Sequence, residues 1–257
     1  MLSTADLMAF VGACAVRAPE VMRSGKLICV DAAMSRNLAI RYRGRRINLP
    51  IADIDALLAA HRDNPTFGNL REMYAKDCYL RRFRFASPIG PVLDLGANRG
   101  LFSLIALLAL DADRVIGVEP LPQYDPVMRL LLEANGCDAR RVIRYRRSIG
   151  SSAAESREPE RFISIGRIRD EQGVARFGLV KMDVEGGESG LFDEPEWLAH
   201  IDNLSMELHH HLAGDLASIP RALESHGLRY LPTDKFGREC PFSSAMFLYA
   251  SRVGALC

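Results

Sequence analysis

From residue 92 to residue 252 the chain alternates between short apolar runs and longer stretches whose apolar residues recur three or four positions apart. The short runs are VLDL, RVIGVEP, RRVIRYRRS, FGLVKMD, NLSMELH, LRYLP and AMFLYASR. Between them lie LFSLIALLAL, DPVMRLLLEANG, EGGESGLF and IPRALESHG. Strands alternating with helices predict an α/β fold on a mostly parallel, doubly wound sheet. The last two runs follow each other closely enough to pair antiparallel. In such open sheets the crevice for ligands lies beyond the carboxyl ends of the strands.

Before residue 90 the pattern changes. Residues 7–16 are apolar, with Asp6 ahead of them where a signal peptide carries basic residues, so a helix is expected there. KLICVDAA and LAIRYRGRRINLPI predict a strand pair, and ADIDALLAAHRD and NLREMYAKDCYLRRF predict helices. SPIGP, with Pro88 and Pro91, punctuates the join. The expected organisation is an α+β appendage over residues 1–90 and a main domain over 91–257.

Composition narrows the classes. A chain of 257 residues is long enough for a substantial core. Its charges nearly balance at a net +1, so no global field draws it to nucleic acid or an anionic membrane. Cys14, Cys29, Cys78, Cys137, Cys240 and Cys257 form no CxxC pair, which predicts reduced thiols in a cytoplasmic protein and no zinc site. No uncharged apolar run approaches the roughly 18 residues of a membrane span. The clusters RYRGRR, YLRRFRF and RRVIRYRR mix arginine with aromatics and read as solvated faces, with a nucleic-acid track as the alternative.

The chemistry concentrates at the strand ends. Gly96 and Gly100 bracket a loop between the first strand and its helix, and Asp94 precedes it. The loop reads Gly-Ala-Asn-Arg-Gly rather than GxGxxG, so a nicotinamide dinucleotide fits poorly. Glu119 ends the second strand, where a carboxylate can accept both hydroxyls of a ribose. Neither tip offers a lysine for phosphates, and a nucleoside without phosphates is indicated. Asp183, Glu185 and Glu188 follow the fourth strand, while Glu207 and His209 alternate onto one face of the fifth. Adjacent strand residues point to opposite faces, so His209, His210 and His211 cannot all bind one ion.

DLGANRG, VEPLPQ followed by LLLEANG, LVKMDVEGGESGLF and LSMELHHH together resemble the successive motifs of the FkbM-type S-adenosylmethionine-dependent methyltransferases. The likeness covers roughly residues 92 to 250, and KMDVEGGE is its most specific part. It implies the Rossmann-like class I methyltransferase sheet of seven strands, the last antiparallel, with helices on both faces. It also implies S-adenosyl-L-methionine as cofactor. Asp94, Gly96, Asn98 and Gly100 would surround the methionine part, Glu119 the ribose and Ser148 the adenine, while Asp183 would lie beside the transferable methyl. Arg99 departs from the family, whose loop is commonly apolar there; its side chain would reach the cofactor carboxylate or solvent.

Methyl transfer to an aliphatic hydroxyl requires in-line placement and removal of one proton. Asp183, Glu185, Glu207 and His209 are the expected catalytic set, with His209 or Asp183 as base. A divalent metal held by Asp183 and Glu207 is an open alternative. The resemblance implies O-methylation of a small-molecule acceptor, a sugar or natural product, with the appendage covering the acceptor side. RNA or protein methylation, a non-catalytic binding protein, and a homodimer through the appendage stay open.

Overall fold

The computed structural model describes residues 2–85, 88–212, 214 and 216–257. The N-terminal segment forms α1 (Thr4–Ser24), α2 (Ile28–Ala33), β1 (Leu38–Tyr42), β2 (Arg45–Leu49), α3 (Ile51–Leu58) and α4 (Thr66–Leu70), which runs on through a π turn at Arg71–Ala75. KLICVDAA is therefore helical, not a strand. Its residues do not alternate inward and outward, and Asp31 is buried against Arg71 at 3.0 Å. The strand pair lies wholly within the second stretch, where Leu38 and Ile40 oppose Leu49 and Ile47 across a two-residue turn at Arg43 and Gly44. Both turn residues have positive φ, the twist that suits a tight hairpin. The helix expected over NLREMYAKDCYLRRF stops at Ala75, before Asp77 at φ 51°.

The remainder follows the predicted alternation: β3 (Val92–Leu95), α5 (Leu101–Ala109), β4 (Val115–Val118), α6 (Tyr124–Ala134) and β5 (Val142–Tyr145). A small parallel ribbon, β6 (Ser148–Ile149) with β7 (Phe162–Ile163), encloses α7 (Ser152–Arg157) and precedes α8 (Ile165–Glu171). Then come β8 (Leu179–Met182), α9 (Glu188–Phe192), β9 (Asn203–Glu207), α10 (Ser218–Ser225), β10 (Arg229–Thr233) and β11 (Phe247–Ser251). The sheet order is β10-β11-β9-β8-β3-β4-β5. β11 pairs antiparallel with both of its neighbours, and the pairs among β9, β8, β3, β4 and β5 are parallel. This is the seven-stranded sheet with an antiparallel last strand expected from the sequence.

β3, β4 and β8 are buried at every position, as strands covered on both faces must be. Leu93, Ile116 and Val180 point into an apolar cluster with α8, α9 and α10. Val92, Val115 and Leu179 point the other way, into a cluster that joins α5 and α6 to Ile47, Tyr74 and Tyr79 of the N-terminal segment. Residues before 90 and after 91 thus share one core.

The face toward the N-terminal segment carries a polar row. Strand register places Gly117, Asp94, Lys181, Ser205 and Tyr249 side by side. The N-terminal segment satisfies two of them: Ser205 Oγ donates to the Tyr79 carbonyl at 2.7 Å, and the Tyr249 hydroxyl donates to the Cys78 carbonyl.

Candidate active site

The loop after β3 is shaped by its contacts. Gly96 has φ 71°, and a Cβ there would lie 1.7 Å from the Asp183 carbonyl oxygen, so only glycine lets the loop close against the end of β8. The Gly96 and Ala97 amides both donate to the Val118 carbonyl at 3.0 Å. Asn98, at φ 45°, donates its amide to Glu119 Oε2 at 2.9 Å, and Glu119 Oε1 accepts from the Leu121 amide at 3.0 Å. Burial raises the Glu119 pKa, and those two amides pull against the rise. Glu119 stands at the wall of a pocket of about 380 Å³ beyond β3, β4 and β8. Gly96, Asn98, Glu119, Leu121, Ser148, Ile149, Asp183 and Glu185 line it.

Two expected cofactor residues stand behind this wall. Asp94 is fully buried; it accepts from Ser103 Oγ at 2.7 Å and lies 3.3 Å from Lys181 Nζ. Gly100 makes room for Met128, which a Cβ would meet at 2.1 Å. Both hold the loop rather than face the pocket, because β3 points Asp94 into the covered face of the sheet. Arg99 differs too: it turns back under the loop, donating to Asn69 Oδ1 at 3.1 Å and to the Asn64 carbonyl at 2.7 Å. It ties the loop to the N-terminal segment instead of reaching ligand or solvent.

Lys181, quoted above as part of a motif but given no role, is a central strut. It is 1% exposed and donates to the Gly96 carbonyl at 2.8 Å. Burial works to strip its proton, but Asp94 and Asp183 outweigh that and hold its pKa above the usual value. Above it sits the Tyr79 ring, with Nζ 5.2 Å from the centroid. Tyr79 belongs to the N-terminal segment and has no sequence signal for a place here. Its hydroxyl donates to Asp183 Oδ2 at 2.8 Å and lies 3.4 Å from Glu207 Oε2.

That hydroxyl has one proton, and it is donated in the hydrogen bond to Asp183. Glu207 approaches well only when it carries a proton of its own to donate. Burial, followed by the charge of Asp183, raises the Glu207 pKa to about 7. Tyr79 therefore stands between Asp183 and Glu207, the pair expected to share a metal.

His209 lies just past β9. Its Nδ1 is 2.5 Å from Oε1 of Glu188, a fully buried carboxylate at the start of α9. Its Nε2 is 3.7 Å from both Asp183 Oδ1 and Glu185 Oε2. The Glu188 hydrogen bond raises the His209 pKa to about 9 against the opposing effect of burial, with Glu207 and Asp183 adding to the rise. The neighbouring carboxylates thus favour the protonated form of the imidazole. His210 bonds the Ala245 carbonyl at 3.0 Å, and the exposed His211 has its ring centroid 6.4 Å from that of His209.

The six cysteines are free, and among the described residues no helix is long and apolar enough to cross a membrane. No family model and no curated protein matches the chain. Solved structures do resemble it. One is the methyltransferase FkbM from Methylobacillus flagellatus KT, at 18% identity over 76% of this chain and 52% of that one, TM-score 0.48. Another is TYW2 of M. jannaschii in complex with AdoMet, at 12% identity over 84% and 85%, TM-score 0.41. A third is the ribosomal protein L11 methylase of Lactobacillus delbrueckii subsp. bulgaricus, at 16% identity over 63% and 69%, TM-score 0.38. The chain spans about half the length of the FkbM structure.

Proposed function

We propose that the chain is an S-adenosylmethionine-dependent methyltransferase of the FkbM type that methylates a hydroxyl group on a small molecule. The observation that carries this reading is the pairing of two features at one strand edge: a nucleoside-sized pocket ending on the Glu119 carboxylate, and a half-buried carboxylate pair bridged by Tyr79 beside it. The volume lies in the range of small-ligand sites. The residues present fit the cofactor. Glu119 has a lone pair free on each oxygen for a diol, Ser148 and Ile149 form the far wall, and no lysine is offered to a phosphate.

Bound there, S-adenosylmethionine supplies an already activated methyl group. The protein's own residues then have to orient the acceptor, exclude water and take one proton. Asp183 is at the boundary of pocket and acceptor side, held by Tyr79 and by Lys181 at 3.8 Å. Glu207 stands on the other side of Tyr79. These two carboxylates are the groups placed to receive the acceptor's proton.

Isothermal titration of the protein with S-adenosylmethionine, beside Glu119→Gln, tests the reading. Wild type should bind with a dissociation constant on the order of micromolar, and the variant about ten- to a hundredfold more weakly, the scale of hydrogen bonds to a charged group. Transfer of labelled methyl groups to a panel of hydroxylated metabolites then tests the acceptor class. Absence of binding by folded wild-type protein would sink the cofactor assignment. Transfer to RNA or protein, and not to metabolites, would sink the acceptor assignment.

A further inference from the structure

Among the described residues, one group of side chains has donors spaced for a metal ion: Asp183, Glu185 and His209, whose ligand atoms lie within 4.8 Å of one another. The two nitrogen–oxygen separations of 3.7 Å are too long for hydrogen bonds. They suit a cation sitting between the atoms at the roughly 2.0–2.2 Å bond lengths of first-row metals.

The imidazole is set up for such a role. His209 is 7% exposed, and its Nε2 lies 3.7 Å from carboxylate oxygens of both Asp183 and Glu185. Its Nδ1 is fixed by Glu188, whose other carboxylate oxygen has no hydrogen-bond partner. Burying a carboxylate for a single contact is costly. Here the contact selects which ring nitrogen faces the cluster, as carboxylates behind metal-binding histidines do. Glu185 has φ 50°, an uncommon conformation for a residue other than glycine.

We propose that Asp183, Glu185 and His209 bind a first-row divalent cation, with Glu188 as the positioning residue for the imidazole. One nitrogen and two carboxylate donors favour manganese or zinc over magnesium, which prefers oxygen ligands and keeps its waters. Because Asp183 and Glu185 also line the pocket, the ion would stand at the boundary with the acceptor side. Binding does not depend on methyl transfer being the reaction.

The test is calorimetric titration of the purified full-length chain, stripped with chelator, against manganese chloride, zinc chloride and magnesium chloride, without cofactor or acceptor. Expected is one manganese or zinc ion per chain on the order of micromolar affinity, with magnesium at least about tenfold weaker. Glu185→Gln should weaken binding about tenfold or more, and Glu188→Gln by roughly ten- to a hundredfold through the ring it orients. Glu185 is the safe variant, since its side chain is 77% exposed and the fold does not rest on it. No saturable manganese or zinc binding below millimolar concentration, or binding unchanged in Glu185→Gln, overturns the proposal. In either case cofactor affinity is a separate readout, so the methyltransferase reading stands or falls on its own titration.

Discussion

The two walls of the crevice are built on different principles. The pocket wall is made by backbone: a glycine pressed against β8, amides donated to Val118, and a glutamate fixed by the amides of Asn98 and Leu121. Most of its residues come from the loops after β3 and β4, with Ser148 and Ile149 of β6 and the loop after β8 completing it. The wall around Asp183 and Glu207 is made by side chains from four separate places: Tyr79, the loop after β8, the start of α9 and the end of β9. Its geometry depends on charges that would repel if Lys181, Tyr79 and His209 were not among them. One wall is rigid because chain geometry allows little else; the other is rigid because its groups compensate one another.

The comparison can be broken most severely on the backbone side. Gly96→Ala drives a methyl group into the Asp183 carbonyl at a left-handed position. It should destabilise the protein by more than about 3 kcal/mol, or prevent folding. Chemical denaturation measures this, and a loss below 1 kcal/mol, within roughly the range of ordinary surface substitutions, would mean the loop has room to shift.

Lys181→Met sits between the walls. It leaves Asp94 buried without a charge partner and frees the Gly96 carbonyl, so a loss of about 3–5 kcal/mol is expected. Adding Asp94→Asn should restore much of that stability, because the uncompensated charge is then gone. Failure of the second change to help would show that the lysine acts through the loop carbonyls alone.

The smallest effect sharpens the contrast. Tyr79→Phe keeps the packed ring against Phe102 and Phe247 and deletes only the hydroxyl. Stability should fall by about 1 kcal/mol and cofactor affinity should stay within a few-fold, while turnover drops about tenfold or more. Equal losses in affinity and turnover would mean the hydroxyl serves both walls alike.

Sequence periodicity determined the sheet. Central strands are buried on both faces, so they read as mainly apolar runs, legible in VLDL, VIGV and LVKM despite the buried Asp94 and Lys181. The order of strands and loops also singled out Gly96 and Glu119, while Asn98 and Ser148 came from the family resemblance alone; all four line the pocket beside the strand ends. The ribbon of β6 and β7 escaped, since strands of two residues have no period to detect, although Ser151 and Ser164 cap the helices that follow.

Tertiary structure alone decided the other assignments. Asp94 points into the covered face because of its strand register, Arg99 turns inward because Asn64 and Asn69 are there to accept it, and Tyr79 reaches Asp183 from 104 residues away in sequence. The protonation of His209 and of Glu207 depends on the charges packed around them. Periodicity reports which face of an element is apolar. Which polar groups share a buried space is set by the packing of distant segments, because the low dielectric there makes each charge's cost depend on its neighbours.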